Sequence, residues 1–376
     1  MTAIATAMTM MILTGDKMAE TKLEIKEKQS CWEFLQNTDL PIFIYGMGDG
    51  ALKILSVFEK YHIPTAGFFA SDEFVRGHSF EGHLVHKLSH IEQLVDDFVV
   101  VLAFAAGYES LYKRVNSIAE KHLLLAPDVP VAGGGLFDYD YFCENKDKFE
   151  AVYEKLADEA SRKTYENVIN FKISGKIEYL NACTSDKSEV YDSLIKLGKA
   201  ERYVDLGAYN GDTALEFAEA ANGSYEHIYA FEPNPKNYRK LCKNTEELHD
   251  ITTFNAAAWN EDTTLRFTKN EGRMSQNSSK GEIETTALSV DNAIPEQVTL
   301  IKLDVEGSER EAIEGAKRHI SGGANVISAL YHRNEDLFAI PLQLLELNPN
   351  LKLYVRHQLY IPAWETNLYA VNGENP

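Results

Sequence analysis

The chain has 376 residues, enough for two or three domains, and 44% of them are apolar, ample for a buried core. Its formal net charge of -20 repels phosphate backbones and anionic lipid, which sets nucleic acids and membrane surfaces aside as expected partners. The four cysteines, Cys31, Cys143, Cys183 and Cys242, are far apart with no CxxC pair, which argues for reduced thiols rather than a disulfide framework or a zinc site. No apolar run is long enough to span a bilayer. The apolar, threonine-rich start lacks the basic leader of a signal peptide, so the expectation is a cytoplasmic protein with Met18 as an alternative start.

In chain order, residues 1–30 read as a disordered or helical tail that ends in the charged, helix-prone run Glu20 to Lys28. A first unit follows over 31–137. Pro41 to Tyr45 reads as a buried strand, and a helix carrying Leu52, Leu55 and Phe58 follows it. Further strands are expected at Ala66–Ala70 and Phe98–Phe104. Strands alternating with helices predict a parallel sheet covered by helices. Between the first strand and helix, Gly46, Gly48 and Ala51 match G-x-G-x-x-G/A. Asp72 stands about twenty residues on, where a ribose-binding acid is expected in a dinucleotide site. These four residues are the first unit's nucleotide candidates, against the alternative of a Rossmann-like packing module. His78, His83 and His86 do not have the spacing of a metal motif.

Gly133-Gly134-Gly135 has the composition of a linker. Residues 138–200 then read as a charged helical linker, with Tyr153, Leu156, Tyr165, Val168, Ile169 and Phe171 near helical spacing and a last helix at Val190–Leu197. The second unit spans 201–376. Tyr203 to Leu206 is a short strand that runs into Gly207 and Gly211. Thr213 and Glu216 fit a capping box there, as do Ser308 and Glu311 later. Strands are expected at His227–Phe231, Ile251–Ala257, Thr263–Thr268, Val298–Asp304 and Asn325–Tyr331. Glu271 to Gly281 reads as a polar loop. Pro341 suits the first turn of a helix carrying Leu342, Leu345 and Leu347. Leu351–Arg356 and Thr366–Val371 close the chain as an antiparallel hairpin.

The acids Asp205, Glu232 and Asp304 fall at the carboxyl ends of successive strands of the second unit, where open parallel sheets bind ligands. Glu232 is placed to accept both hydroxyls of a ribose. The turn Asp205-x-Gly207-x-x-x-Gly211 lacks the close glycine pair that a pyrophosphate needs. It suits a ligand without phosphates.

Taken together, Tyr203–Thr213, Phe231–Asn234, Asn255–Trp259, Ile301–Glu309, Tyr331–Arg333, Tyr354–His357 and Glu365–Ala370 resemble the FkbM family of class I S-adenosylmethionine-dependent methyltransferases, over about 161–371. The first unit more weakly resembles Rossmann-like domains of sugar-modifying enzymes. The resemblance implies an α/β chain of two Rossmann-like units. The second would have a mostly parallel seven-stranded sheet with an antiparallel last strand. S-adenosylmethionine would be held by Asp205, Gly207, Ala208, Gly211, Asp212 and Thr213 at the methionine end. Glu232 would hold the ribose, and Asn234 and Ala257–Trp259 would lie beside the adenine. Asp304, His332 and Glu306 are the implied catalytic residues, and O-methylation of a sugar, glycan precursor or other small metabolite is the implied reaction. A divalent cation on Asp304 and Glu306 is the less favoured option, and a homodimer stays open. The other readings are a nucleotide-sugar or NAD-dependent enzyme built on Gly46–Ala51 and a non-catalytic, glycan-related scaffold.

Overall fold

The computed structural model describes residues 22–75, 77, 79–267 and 283–373. The start before residue 22, His78 and the Glu271–Gly281 loop lie outside them. Strands β1 (Ile42–Tyr45), β2 (Gly67–Ala70), β3 (Ser79–Phe80), β4 (His83–Lys87), β5 (Val99–Leu102) and β6 (Leu123–Leu125) form a first sheet in the order β3-β4-β2-β1-β5-β6. All its pairs are parallel except β3–β4. Alternation along β1 sorts its apolar residues onto two faces. Ile42 and Ile44 pack with Trp32, Leu35, Ile54 and Phe58, while Phe43 and Tyr45 face a larger core.

The second sheet joins β7 (Arg202–Leu206), β8 (His227–Phe231), β9 (Ile251–Phe254), and, after three short strands, β13 (Leu300–Leu303), β14 (Asn325–Ala329), β15 (Leu351–His357) and β16 (Thr366–Asn372). Its order is β15-β16-β14-β13-β7-β8-β9, and only β16 runs antiparallel. The short strands β10 (Ala257–Ala258), β11 (Thr263–Phe267) and β12 (Ile283–Leu288) form a separate three-stranded sheet. The single strand expected over Ile251–Ala257 is therefore two. The chain bends at Asn255, whose side-chain amide donates to the Glu232 and Pro233 carbonyls.

The helical stretch between the units is a packed layer. Phe149, Tyr165, Val168, Phe171 and Ile173 share one core with Phe43 and Val100 of the first sheet and Val204, Ile301 and Val326 of the second. Buried Lys172 pairs with buried Asp128 at 2.6 Å on one side. On the other, Arg356 pairs with Asp158 and Glu189. Residues 22–28 are not helical; Asn170 Oδ1 accepts the Lys26 and Glu27 amides and holds them against the helix Glu159–Ser174.

Pro341 lies inside the helix Asp336–Leu347 rather than in its first turn. A proline there leaves the carbonyl four residues back without its helical donor. That carbonyl is Leu337 O, and the buried Tyr165 hydroxyl donates to it at 2.9 Å. The helical layer thus supplies the bond that proline removes.

Gly315 ends the helix Glu309–Gly315, and a Cβ there would fall 1.9 Å from Trp259 O. A backbone carbonyl cannot rotate away as a side chain does. Gly315→Ala is expected to cost roughly 1–3 kcal/mol, the range for overpacked sites. A lower midpoint of denaturant unfolding checks it; an unchanged midpoint would show that the helix end shifts freely. No described helix is long and apolar enough to cross a membrane.

Candidate active site

The site forms at the carboxyl ends of β8, β7, β13 and β14. Parallel pairing sets Asp205 beside Lys302 and Leu206 beside Leu303, so the chains leave β7 and β13 side by side at Gly207 and Asp304. Gly207 has φ +86°, and a Cβ on it would fall 2.0 Å from Asp304 O. Asp304 O of the neighbouring strand's exit thus fills the space that a side chain here would need. At Gly211, φ +90°, a Cβ would fall 2.7 Å from the Thr245 methyl and 3.1 Å from the Leu241 side chain. Ala208 is buried against Ala230 and Leu241.

Neither predicted capping box forms. Gly211 caps the helix Asp212–Ala220 with no side-chain bond, and the Asp212 carboxylate accepts from the Thr213 amide. The Thr213 hydroxyl donates to Asp205 Oδ2, so its side chain is spent beneath the turn. Ser308 likewise makes no capping bond. Asp205 is fully buried and reaches Lys302 Nζ at 3.8 Å, so it supports the turn from inside rather than lining the cleft. Burial pushes its pKa up against the pull of Lys302 and Thr213.

Glu232 is buried at the end of β8. Its two oxygens accept the Tyr209 amide at 3.0 Å and the Asn234 amide at 2.7 Å. An ionised carboxylate accepts about four hydrogen bonds, which leaves capacity for two hydroxyls. Asn234 is the N-cap of the helix Pro235–Asn244, its Oδ1 accepting from Lys236 and Asn237. Trp259 is half-buried, and its amide donates to Leu288 O.

Lys302 was not anticipated. Its Nζ lies 3.8 Å from both Asp205 Oδ1 and Asp304 Oδ2. Burial alone would raise the Asp304 pKa, but Lys302 and His332 outweigh it and hold the carboxyl below its usual value. The Tyr331 hydroxyl also donates to Asp304 Oδ1 at 3.1 Å. His332, buried at the end of β14, has Nδ1 2.8 Å from Glu309 Oε1. Its Nε2 lies 3.5 Å from Asp304 Oδ1 and 3.8 Å from Glu306 Oε2. Burial pulls the imidazole pKa down, but Glu309, Asp304 and Glu306 together push it up to about 9. Glu306 has φ +56°, a left-handed conformation costly for a non-glycine residue, which turns the chain sharply before Gly307.

Asp304, Glu309 and His332 bring ligand-capable atoms within 4.8 Å of one another. The His332–Glu309 approach among them is a hydrogen bond, so we read the cluster as held by a proton rather than as an ion seat. Of the other histidines, His83 and His86 fall at odd and even positions of β4 and so on opposite faces. His357 is buried between Thr366 Oγ1 and Tyr360 O, and burial takes its pKa down to about 4.

The glycine run behaves unlike a linker. The Ala132 amide donates to His332 O at 2.7 Å, and Arg333 lies against Gly133. The exit of β6 thus crosses the turn that carries His332. In the first unit, Gly46 has φ +120°. The tight helix–strand approach falls at Gly50, where a Cβ would meet Ala103 O at 2.3 Å, and Ala51 is buried in the core beside Ile44. Asp72 is exposed in the turn after β2.

This parallel sheet with one antiparallel strand, with acids at the ends of β7, β8 and β13, defines a class I, S-adenosylmethionine-dependent methyltransferase unit. Residues 205–358 match the family profile described as Methyltransferase FkbM domain. The fold is similar to the crystal structure of methyltransferase FkbM from Methylobacillus flagellatus KT. That protein is 21% identical, the match covers 88% of this chain and 90% of that one, and the TM-score is 0.68. The shared fold therefore takes in much of the first unit as well. An rRNA methylase from Streptococcus thermophilus is 14% identical over 49% of this chain and 92% of that one, at a TM-score of 0.33. Aeropyrum pernix fibrillarin with natively bound S-adenosyl-L-methionine is 17% identical over 49% of this chain and 73% of that one, at 0.32. No curated protein matches the chain.

Proposed function

We propose that the second unit is an O-methyltransferase acting on a neutral, hydroxyl-rich acceptor such as a sugar unit. One observation carries the reading: His332 Nε2 faces Asp304 and Glu306 at the carboxyl end of the sheet, on the β13 exit that runs beside the Gly207 turn. Bound S-adenosylmethionine supplies a methyl on a sulfonium, an electrophile that needs no further activation. The chain then has three tasks: to bind, to align, and to remove the acceptor's proton.

Glu232 accepts the ribose hydroxyls, and the Gly207–Thr213 turn with Ala257–Trp259 frames the rest of the cofactor. Asp304 and Glu306 accept hydrogen bonds from acceptor hydroxyls and orient one of them at His332. His332 Nε2 takes its proton. In the cofactor-free protein the imidazole is mostly protonated at neutral pH, because its pKa is about 9. Proton removal needs the neutral imidazole, so turnover is expected to rise with pH. Glu365 is also electrostatically coupled to Asp304, so the acceptor side gathers three carboxylates. Such a lining accepts from hydroxyls and repels phosphate or carboxylate groups.

The test has two parts. S-adenosylhomocysteine is expected to raise the melting temperature, whereas NAD and UDP-glucose leave it unchanged. Labelled methyl is expected to pass from S-adenosylmethionine to neutral glycosides in preference to the same sugars carrying phosphate or a uronate. Stabilisation by NAD alone would overturn the cofactor assignment, and preference for the anionic sugars would overturn the acceptor class.

A further inference from the structure

Glu309 has no part in the scheme so far, yet it is among the best-held acids in the chain. It is 1% exposed, and its Oε1 accepts the Val305 amide at 2.9 Å and the Gly307 amide at 3.4 Å. Those amides belong to the β13 exit that carries Asp304 and Glu306. The same Oε1 lies 2.8 Å from His332 Nδ1. One carboxylate therefore ties the base to the turn that bears the two acids facing it.

We propose that Glu309 is a positioning residue that fixes the His332 ring and keeps the proton of its neutral form on Nδ1, so that the Nε2 lone pair faces the acceptor. The inference rests on His332 being the base. The chemistry follows from the acceptor inventory. An ionised carboxylate only accepts, so Nδ1 must donate to it. A neutral imidazole with its proton on Nδ1 has its remaining lone pair on Nε2. Without that constraint the ring can flip, or place its proton on Nε2, where Asp304 and Glu306 would both welcome a donor. Either outcome leaves no base facing the acceptor. The carboxylate also stabilises the imidazolium formed after proton transfer.

The charged groups around the ring are Glu309 from the helix Glu309–Gly315, Asp304 and Glu306 from the β13 exit, and Asp336 from the helix Asp336–Leu347. Among these groups it is Glu309 whose Oε1 lies 2.8 Å from Nδ1. The ring's other side is covered by Tyr331, with centroids 4.4 Å apart.

The experiment uses the full chain with nitrogen-15 histidine. In the wild type above the His332 titration, the imidazole shifts are expected to show the proton on Nδ1; a proton on Nε2 would overturn the proposal without any variant. Glu309→Gln keeps the shape and removes the charge. It is expected to lower kcat about 100-fold, the scale of a lost general base, while S-adenosylhomocysteine affinity stays at the wild-type value. The acid limb of its pH–rate profile should move to lower pH, because the largest influence raising the His332 pKa is gone. A merely structural role for Glu309 would lower stability and leave that limb where it was, which would also overturn the proposal. Failure of the base assignment shows differently, as wild-type turnover in His332→Gln, a result that the Glu309 experiments do not produce.

Discussion

Glu232→Ala is expected to abolish measurable binding of S-adenosylhomocysteine in titration calorimetry. Each ribose hydroxyl that donates to an ionised carboxylate contributes about 1.5–3 kcal/mol. Two such bonds amount to about 3–6 kcal/mol, or a loss of roughly a hundredfold to ten-thousandfold in Kd. The substitution has a second effect. Glu232 already accepts the Tyr209 and Asn234 amides, so its removal also frees the two turns that flank the cofactor cleft. Both effects act in the same direction on affinity, but only the second lowers the melting temperature of the ligand-free protein. Wild-type affinity in a variant that still unfolds cooperatively would remove Glu232 from the cofactor site. A carboxylate this buried also carries a pKa raised by desolvation, against the two amides that pull it down. Protonation at low pH costs it acceptor capacity, so affinity should fall as pH drops through the acid range.

The second unit was legible because its strands are short apolar runs that end in glycine or acid. Tyr203–Leu206 and Leu300–Leu303 declare themselves in this way, and so do the acids that follow them. Strands β4 and β6 were not legible. His83–Lys87 carries three polar residues in five, and Leu123–Leu125 is too short for any period to show. At Gly133–Gly135 composition reports chain freedom, not anchoring. The bonds that hold this segment come from His332 O, which accepts the Ala132 amide, and from Asn334 Nδ2, which donates to Gly135 O, both far along the sequence. Glu309 was hidden among Glu306, Glu311 and Glu314, and only the helix start decides which of these reaches His332 Nδ1. Lys302 did leave a signal. A lysine between Ile301 and Leu303 in a buried strand needs acids on neighbouring strands, and Asp205 and Asp304 were already in view.

His332→Gln is expected to retain S-adenosylhomocysteine binding and to lose turnover by about 10²–10⁴-fold, the range for a missing general base. Its wild-type counterpart should show two pH dependences of opposite sign. Catalysis needs the neutral imidazole, so kcat in the wild type rises with pH until the ring has lost its proton. Stability runs the other way. The His332 pKa is raised on folding from an ordinary 6.5 to about 9, so the folded state binds this proton more tightly than the unfolded chain does. That contribution is fully present below pH 6.5 and is lost as pH climbs through about 9. Melting temperature of the cofactor-free wild type should therefore fall over the interval in which kcat rises, and in His332→Gln this component of the fall should vanish. Turnover like the wild type in His332→Gln would pass the proton to Asp304 or to solvent. A melting curve whose pH dependence is the same with and without His332 would mean that the three carboxylates do not hold its proton. The two measurements bear on different claims, the first on what His332 does and the second on what Glu309, Asp304 and Glu306 do to it.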